Sequence, residues 1–143
     1  MTALLTPSLL VRNLLVVLLL SSFGCSEKEE VDPMKDIVGR WDLKKIYSAT
    51  VRNGRVVSDD TWVAPTIAEN ERFGSDMTYG SYMGDKISGE LGSYSLGNSV
   101  LTITHYSGLV INFRVETLTP TDLALVYEDT TRHLVQKRYL VKH

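Results

Sequence analysis

Gly92-Ser93-Tyr94-Ser95-Leu96-Gly97-Asn98-Ser99-Val100-Leu101-Thr102-Ile103-Thr104-His105-Tyr106 alternates apolar and polar residues on either side of one turn. Tyr94 and Leu96 share a face before Gly97-Asn98-Ser99, and Leu101 and Ile103 share a face after it. Two period-two segments joined by Gly and Asn read as a β-hairpin, because successive strand side chains point to opposite faces. Downstream, Ser107-Gly108 turns the chain into residues 109–118, where Leu109, Ile111, Phe113 and Val115 alternate with Val110, Asn112, Arg114 and Glu116. Thr119-Pro120-Thr121-Asp122 marks the next turn, and residues 123–127 and 134–141 read as the last two strands. Upstream, residues 67–73 and 77–83 flank Gly74-Ser75-Asp76. A first strand carries Trp41 and Leu43 on one face and leads to Asn53-Gly54, a strong hairpin signal because both residues tolerate positive φ. Residues 59–68, with Trp62 and Pro65, read either as a loop over one end or as a short helical turn.

Eight or nine short strands at about 8–12-residue spacing argue an antiparallel sandwich or barrel. Consecutive hairpins without a long crossover favour an up-and-down barrel of about eight strands, which removes exposed strand edges. A barrel of that size is either filled by side chains or holds one small ligand.

The N-terminal 24 residues read differently. One positive charge, Arg12, precedes the apolar run Leu14-Leu15-Val16-Val17-Leu18-Leu19-Leu20, which ends in Ser21-Ser22-Phe23-Gly24-Cys25. The run is far short of the ~20 apolar residues a membrane-spanning helix needs, so it reads as a secretion signal. Cys25 is the only cysteine of the chain, so it has no intramolecular disulfide partner. Gly24-Cys25 resembles the cleavage end of a bacterial lipobox, with Ser22 and Phe23 standing where Leu and a small residue are more usual. The resemblance implies that Cys25 begins the mature chain and carries the lipid. Ser26, Glu27, Lys28, Glu29 and Glu30 follow, a charged stretch too poor in apolar residues to fold. This stretch resembles the surface-export signal of Bacteroidetes-type lipoproteins, which implies an outer-membrane protein displayed at the cell surface.

The expected organisation is a signal peptide over 1–24, a lipidated and disordered tether over 25–36, and one barrel domain over 37–143. Removing the signal leaves 119 residues, the size of a single-core domain. All 17 acidic residues remain with 14 of the 15 basic ones, giving a formal charge of −3. With no basic cluster, a nucleic-acid partner is not expected. A monomer is expected, held to its membrane through the lipid.

The order of motifs carries a further resemblance. Gly39-Arg40-Trp41 opens the first strand as the G-x-W of lipocalins does. Gly92-x-Tyr94-x-Leu96, Leu101-Thr102-Ile103-Thr104 and Thr119-x-x-x-Leu123-x-Leu125 follow in an order similar to bacterial lipocalin-like domains of Bacteroidetes lipoproteins. The resemblance spans residues 39–141. It implies closure of one barrel end by Gly39 and Trp41, with a late-strand arginine, Arg138, packed on the indole. It also implies binding of a small hydrophobic or amphipathic molecule.

Chemistry-bearing motifs are sparse. His105, His133 and His143 lack the spacing of a metal site, and no nucleophile elbow or phosphate loop is present. Glu69, Glu71, Asp76, Asp85 and Glu90 cluster in the middle of the chain, where scattered surface acids are the ordinary reading. No catalytic residue, cofactor or metal is expected. Tyr79, Tyr94, Ile103, His105, Phe113 and Tyr127 suit a pocket wall for an amphipathic ligand, and equally a filled core with hydroxyls reaching the rim. An envelope module that contacts protein or glycan through its loops is the alternative function.

Replacing Cys25 with Ala is expected to release the protein from the membrane fraction and abolish acyl labelling. Fractionation of metabolically labelled cells checks this, and lipid retained by the Ala variant would remove the basis for the anchor.

Overall fold

The computed structural model describes residues 32–64 and 69–143. The signal sequence, Cys25 and the stretch Ser26, Glu27, Lys28, Glu29 and Glu30 lie outside the described residues. Among the described residues no helix is long and apolar enough to cross a membrane.

A one-turn helix, α1 (Pro33–Ile37), precedes nine strands: β1 (Gly39–Arg52), β2 (Arg55–Val63), β3 (Glu69–Phe73), β4 (Thr78–Met83), β5 (Lys86–Gly97), β6 (Val100–His105), β7 (Val110–Leu118), β8 (Asp122–Asp129) and β9 (Leu134–Lys142). All pairings are antiparallel, and β1 also pairs with β9, so the sheet closes on itself. β3 pairs with residues 39–42 of β1, and β2 pairs with residues 45–52 along the same edge. Eight strands, β1 and β3 through β9, therefore form the closed barrel. β2 extends β3's line along β1 and completes a long hairpin arm.

That arm turns at Asn53 and Gly54, whose φ angles of 51° and 73° are those of the tight hairpin turn both residues favour. β2 is exposed along its whole length, which explains why Ser58-Asp59-Asp60-Thr61 shows no apolar alternation. Residues 59–63 are strand, neither of the two forms expected, and the rest of that stretch through residue 64 leads out of β2. β5 runs longer than expected, beginning at Lys86.

The register explains which side chains meet. A bulge at Lys44 lies between the Leu43–Leu140 and Lys45–Tyr139 pairs. A one-residue slip exchanges the two faces of a strand. The bulge thus keeps Trp41 and Leu43 inside and then turns Ile46 and Ser48 inward opposite Arg138 and Gln136. The core comprises Ile37, Trp41, Leu43, Phe73, Tyr79, Tyr94, Leu101, Ile103, Phe113, Leu123, Leu125 and Leu140.

One barrel end is closed by α1 and Trp41. Asp32 caps α1, its side chain accepting a hydrogen bond from the Met34 amide at 3.1 Å, and Pro33 takes the first helical position. Pro33–Ile37 thus folds where part of a disordered tether was expected, and it buries Ile37 fully. Trp41 is 0 % exposed and donates its indole N–H to the Ile37 carbonyl at 2.7 Å. The cation over its ring is Lys142, with Nζ 5.2 Å from the ring centre and 2.8 Å from the Asp36 carbonyl oxygen. This corrects the expectation for Arg138, which lies on the same face of β9 but farther along it. Gly39 has φ of 135°, and a Cβ there would stand 2.9 Å from Lys142 Cε. The glycine therefore leaves room for the lysine stem to reach the indole.

Trp41→Ala is expected to cost about 3–5 kcal/mol, as for other emptied aromatic sites. Lys142→Met keeps the stem and removes the charge, with an expected loss of about 0.5–2 kcal/mol. Urea unfolding of the single and double variants should show coupling for Trp41 with Lys142 and additivity for Trp41 with Arg138.

Candidate functional site

The barrel interior divides into an apolar half and a polar half. Near α1 the aromatic rings pack directly: Phe73 and Tyr94 meet edge-on at 5.1 Å, and Phe73 and Tyr79 lie 5.4 Å apart. Tyr94 donates its hydroxyl to the Gly74 carbonyl at 2.9 Å. Leu101, Ile103 and Phe113 complete this half, each nearly fully buried. Of the residues expected to line a pocket, Tyr79, Tyr94, Ile103 and Phe113 are therefore core. Tyr127 packs against that core at 6.0 Å from Phe113 and stays half-buried, and His105 meets Tyr79 edge-on at 5.9 Å.

Towards the opposite end, the side chains that the register turns inward stay partly accessible. Ile46, Ser48, Glu69, Ser81, Ile111, Tyr127, Gln136 and Arg138 all belong to this half-buried group. These partly exposed inward positions mark the polar end of the barrel, its mouth. Gln136 Nε2 lies 3.4 Å from Ser48 Oγ across the β1–β9 ladder.

At the base of this mouth lies an ion pair. Arg138 donates through Nη1 to Glu71 Oε1 and is 20 % exposed, while the Glu71 side chain is 4 % exposed. Glu71 sits on β3 directly beside Trp41 on β1 and shares its face with Phe73. The surface acid expected at this position is thus an interior one. Glu71's charge pushes the Arg138 pKa further up, against the effect of burial, and Glu69 and Tyr79 act in the same direction. Burial, then the charge of Glu71, raises the Tyr79 hydroxyl above its ordinary range, and Arg138 opposes this. Both effects keep Arg138 cationic and Tyr79 neutral at any physiological pH.

Two atoms of the pair are buried without a hydrogen-bond partner: Glu71 Oε2 and Arg138 Nε. Leaving a buried polar atom unpaired costs about 1–3 kcal/mol, and more where the group is charged. Both atoms are shut off from solvent, so the pair carries this cost within the barrel interior. Nothing in the alternation of Glu69, Glu71 and Phe73 marks this in the sequence, since both acids read as ordinary solvent-facing residues.

Several clefts lie outside the barrel interior. One of about 410 Å³ runs beside α1 and is lined by Met34, Leu96, Val115 and Leu118 among others. Another of about 320 Å³ lies on the outer wall of β3–β5, where Arg72 stacks on Tyr82 at 4.2 Å and pairs with Asp85 at 2.6 Å. Among the described residues no group of three or more His, Cys, Asp or Glu side chains is placed to hold a metal ion. Compared with known proteins, the chain matches no family model, no curated protein and no solved structure.

Removing one member of the ion pair strands the other in the interior. Arg138→Met alone is expected to cost about 3–5 kcal/mol, and combining it with Glu71→Leu is expected to recover most of that loss. Urea unfolding of both singles and the double measures the recovery. Equal losses in Arg138→Met and the double would mean that Glu71 does not depend on its partner.

Proposed function

We propose that the protein is a lipid-anchored, lipocalin-like lipoprotein of the bacterial outer membrane, displayed at the cell surface. Its barrel binds a small hydrophobic or amphipathic molecule at the mouth and carries out no catalysis. The observation that supports this reading is the closed eight-strand barrel that keeps a buried Glu71–Arg138 pair beneath a polar, partly exposed end. A buried ion pair is a weak source of stability, because desolvation offsets most of its Coulombic gain. A pair with unpaired atoms is costlier still, and residues kept against such a cost mark this end of the barrel as the place to look for function. The apolar part of such a ligand has Ile46, Ile111 and Tyr127 to lie against.

The chain enters the barrel through α1 at the closed end. The acidic stretch Ser26, Glu27, Lys28, Glu29 and Glu30 serves in this reading as tether and surface-export signal.

One feature favours a second reading, an envelope module that binds a protein partner. The β2 arm exposes Val56, Val57, Trp62 and Val63 beside a strand edge with no neighbour among the described strands.

The neutral fluorescent amphiphile N-phenyl-1-naphthylamine tests the mouth directly. The full chain carrying Cys25→Ala is expected to bind it with saturable fluorescence enhancement. Adding Glu71→Leu with Arg138→Met is expected to weaken binding at least tenfold while the barrel stays folded by circular dichroism. Equal binding by the two proteins would place the probe elsewhere and end the mouth reading.

A further inference from the structure

We propose that the outer wall of β3–β5 binds a small aromatic carboxylic acid, whose carboxylate is held by Arg40 and Arg72 in competition with the Asp85 side chain. This site is separate from the mouth and does not depend on it. Arg40 and Arg72 are chain neighbours of the inward-facing Trp41 and Glu71, so they point outward. Residues paired in register form one row across four strands on that face: Arg40 of β1, Arg72 of β3, Gly80 of β4 and Leu91 of β5. The Tyr106 amide, donating to the Leu91 carbonyl at 3.0 Å, continues it. The row sets two guanidiniums directly opposite each other, an arrangement that like-charge repulsion disfavours. Both line the cleft of about 320 Å³, and among the described residues no acidic side chain lines it with them.

The arginines have donors to spare. Arg40 gives Nε to Asp42 at 3.0 Å, and its Nη1 lies 3.9 Å from Asp85, too far for a hydrogen bond. Arg72 gives Nε to Asn70 at 3.1 Å, and Nη2 to the Gly84 carbonyl at 3.1 Å and to Asp85 at 2.6 Å. Nη1 and Nη2 of Arg40 and Nη1 of Arg72 have no hydrogen-bond acceptor among the described residues, and none of the three is sealed from solvent. Two free terminal nitrogens on one guanidinium match the two oxygens of a carboxylate.

Asp85 shows that this corner takes a carboxylate. The hydrogen bond and charge of Arg72 hold its carboxyl below the usual range, and the charge of Arg40 adds to this. Yet the Asp85 side chain is 87 % exposed on the β4–β5 turn, and an ion pair so open to water is easily given up. An external acid with an aromatic body gains what Asp85 cannot reach, contact with Tyr82, Leu91 and Tyr106 along the cleft wall. Tyr106 is 75 % exposed, and Arg72 lies 4.2 Å over the Tyr82 ring, which fixes the guanidinium plane. A Cβ on Gly80 would stand 2.7 Å from the Tyr82 ring and 2.9 Å from Leu91 Cδ2, so the glycine lets both side chains converge on this wall.

The test is isothermal titration calorimetry of the full chain carrying Cys25→Ala, with 2-naphthoate and its neutral isostere 2-naphthamide, at low ionic strength. The acid is expected to bind saturably and roughly tenfold or more tighter than the amide, since only the acid pairs with the guanidiniums. Arg40→Gln is expected to weaken the acid roughly fivefold or more while leaving the amide unchanged, with the fold checked by circular dichroism. Asp85→Ala is expected to tighten the acid roughly threefold or more, because it removes the competing carboxylate. Equal affinity for acid and amide, unchanged affinity in Arg40→Gln, or no gain in Asp85→Ala would each overturn the site, as would the absence of saturable binding in Asp85→Ala. The Glu71→Leu/Arg138→Met variant is expected to bind the acid as its parent does. Loss of binding there would assign the acid to the mouth, overturning the outer site and leaving the mouth reading in place.

Discussion

The eight barrel strands would leave two raw edges if residues 41–50 of β1 did not pair with β9. That single ladder joins the first strand to the last, and it determines what every inward-facing side chain can touch. It sets Trp41 against Lys142, Leu43 against Leu140 and, beyond the Lys44 bulge, Ile46 against Arg138. The end plug and the polar floor are thus two stretches of the same pairing. Closure also accounts for the length of β1, which must serve β9 along one edge and both β3 and β2 along the other.

The interior is graded along the barrel axis. Around Trp41, burial of large apolar side chains holds the strands together, and the indole N–H and the Tyr94 hydroxyl are paired within the fold. Towards the mouth, apolar packing thins out and ionised groups take its place. The polar end keeps Glu71 and Arg138 buried as a pair despite their desolvation cost. Polar residues that break the local rule of an apolar core are where function is most economically sought.

Much of the fold is legible in the sequence because strand alternation and turn chemistry are local. Asn53-Gly54, Gly97-Asn98-Ser99 and Thr119-Pro120-Thr121-Asp122 each fall between two strands, and Leu101, Ile103 and Phe113 point inward as their spacing implies. The misreadings have long-range causes. Arg138 and Lys142 share a face of β9, and only the registered pairing with β1 shows that Lys142 is the one opposite Trp41. β2 has no buried face, so its sequence carries no periodicity to detect, and it is a strand because β1 offers it an edge. Glu71 reads as a surface acid until the closed sheet puts it beside Arg138. The short helix at Pro33 announces itself through Asp32 and Pro33 alone, and its reason for folding is Ile37, which needs the barrel end to bury against.

The described chain begins and ends at the same pole of the barrel. Asp32 caps the plug helix, Lys142 reaches back to the Asp36 carbonyl, and the His143 amide donates to the Arg40 carbonyl at 3.0 Å. Chain ends this close can be joined, and new ends opened at an exposed turn, without disturbing the core. Opening the chain at the Asn53–Gly54 tip would preserve every inward-facing side chain while moving the point of attachment to the end of the hairpin arm. Which end of the barrel the chain enters is therefore a property of where the chain is cut, separable from the chemistry of its interior.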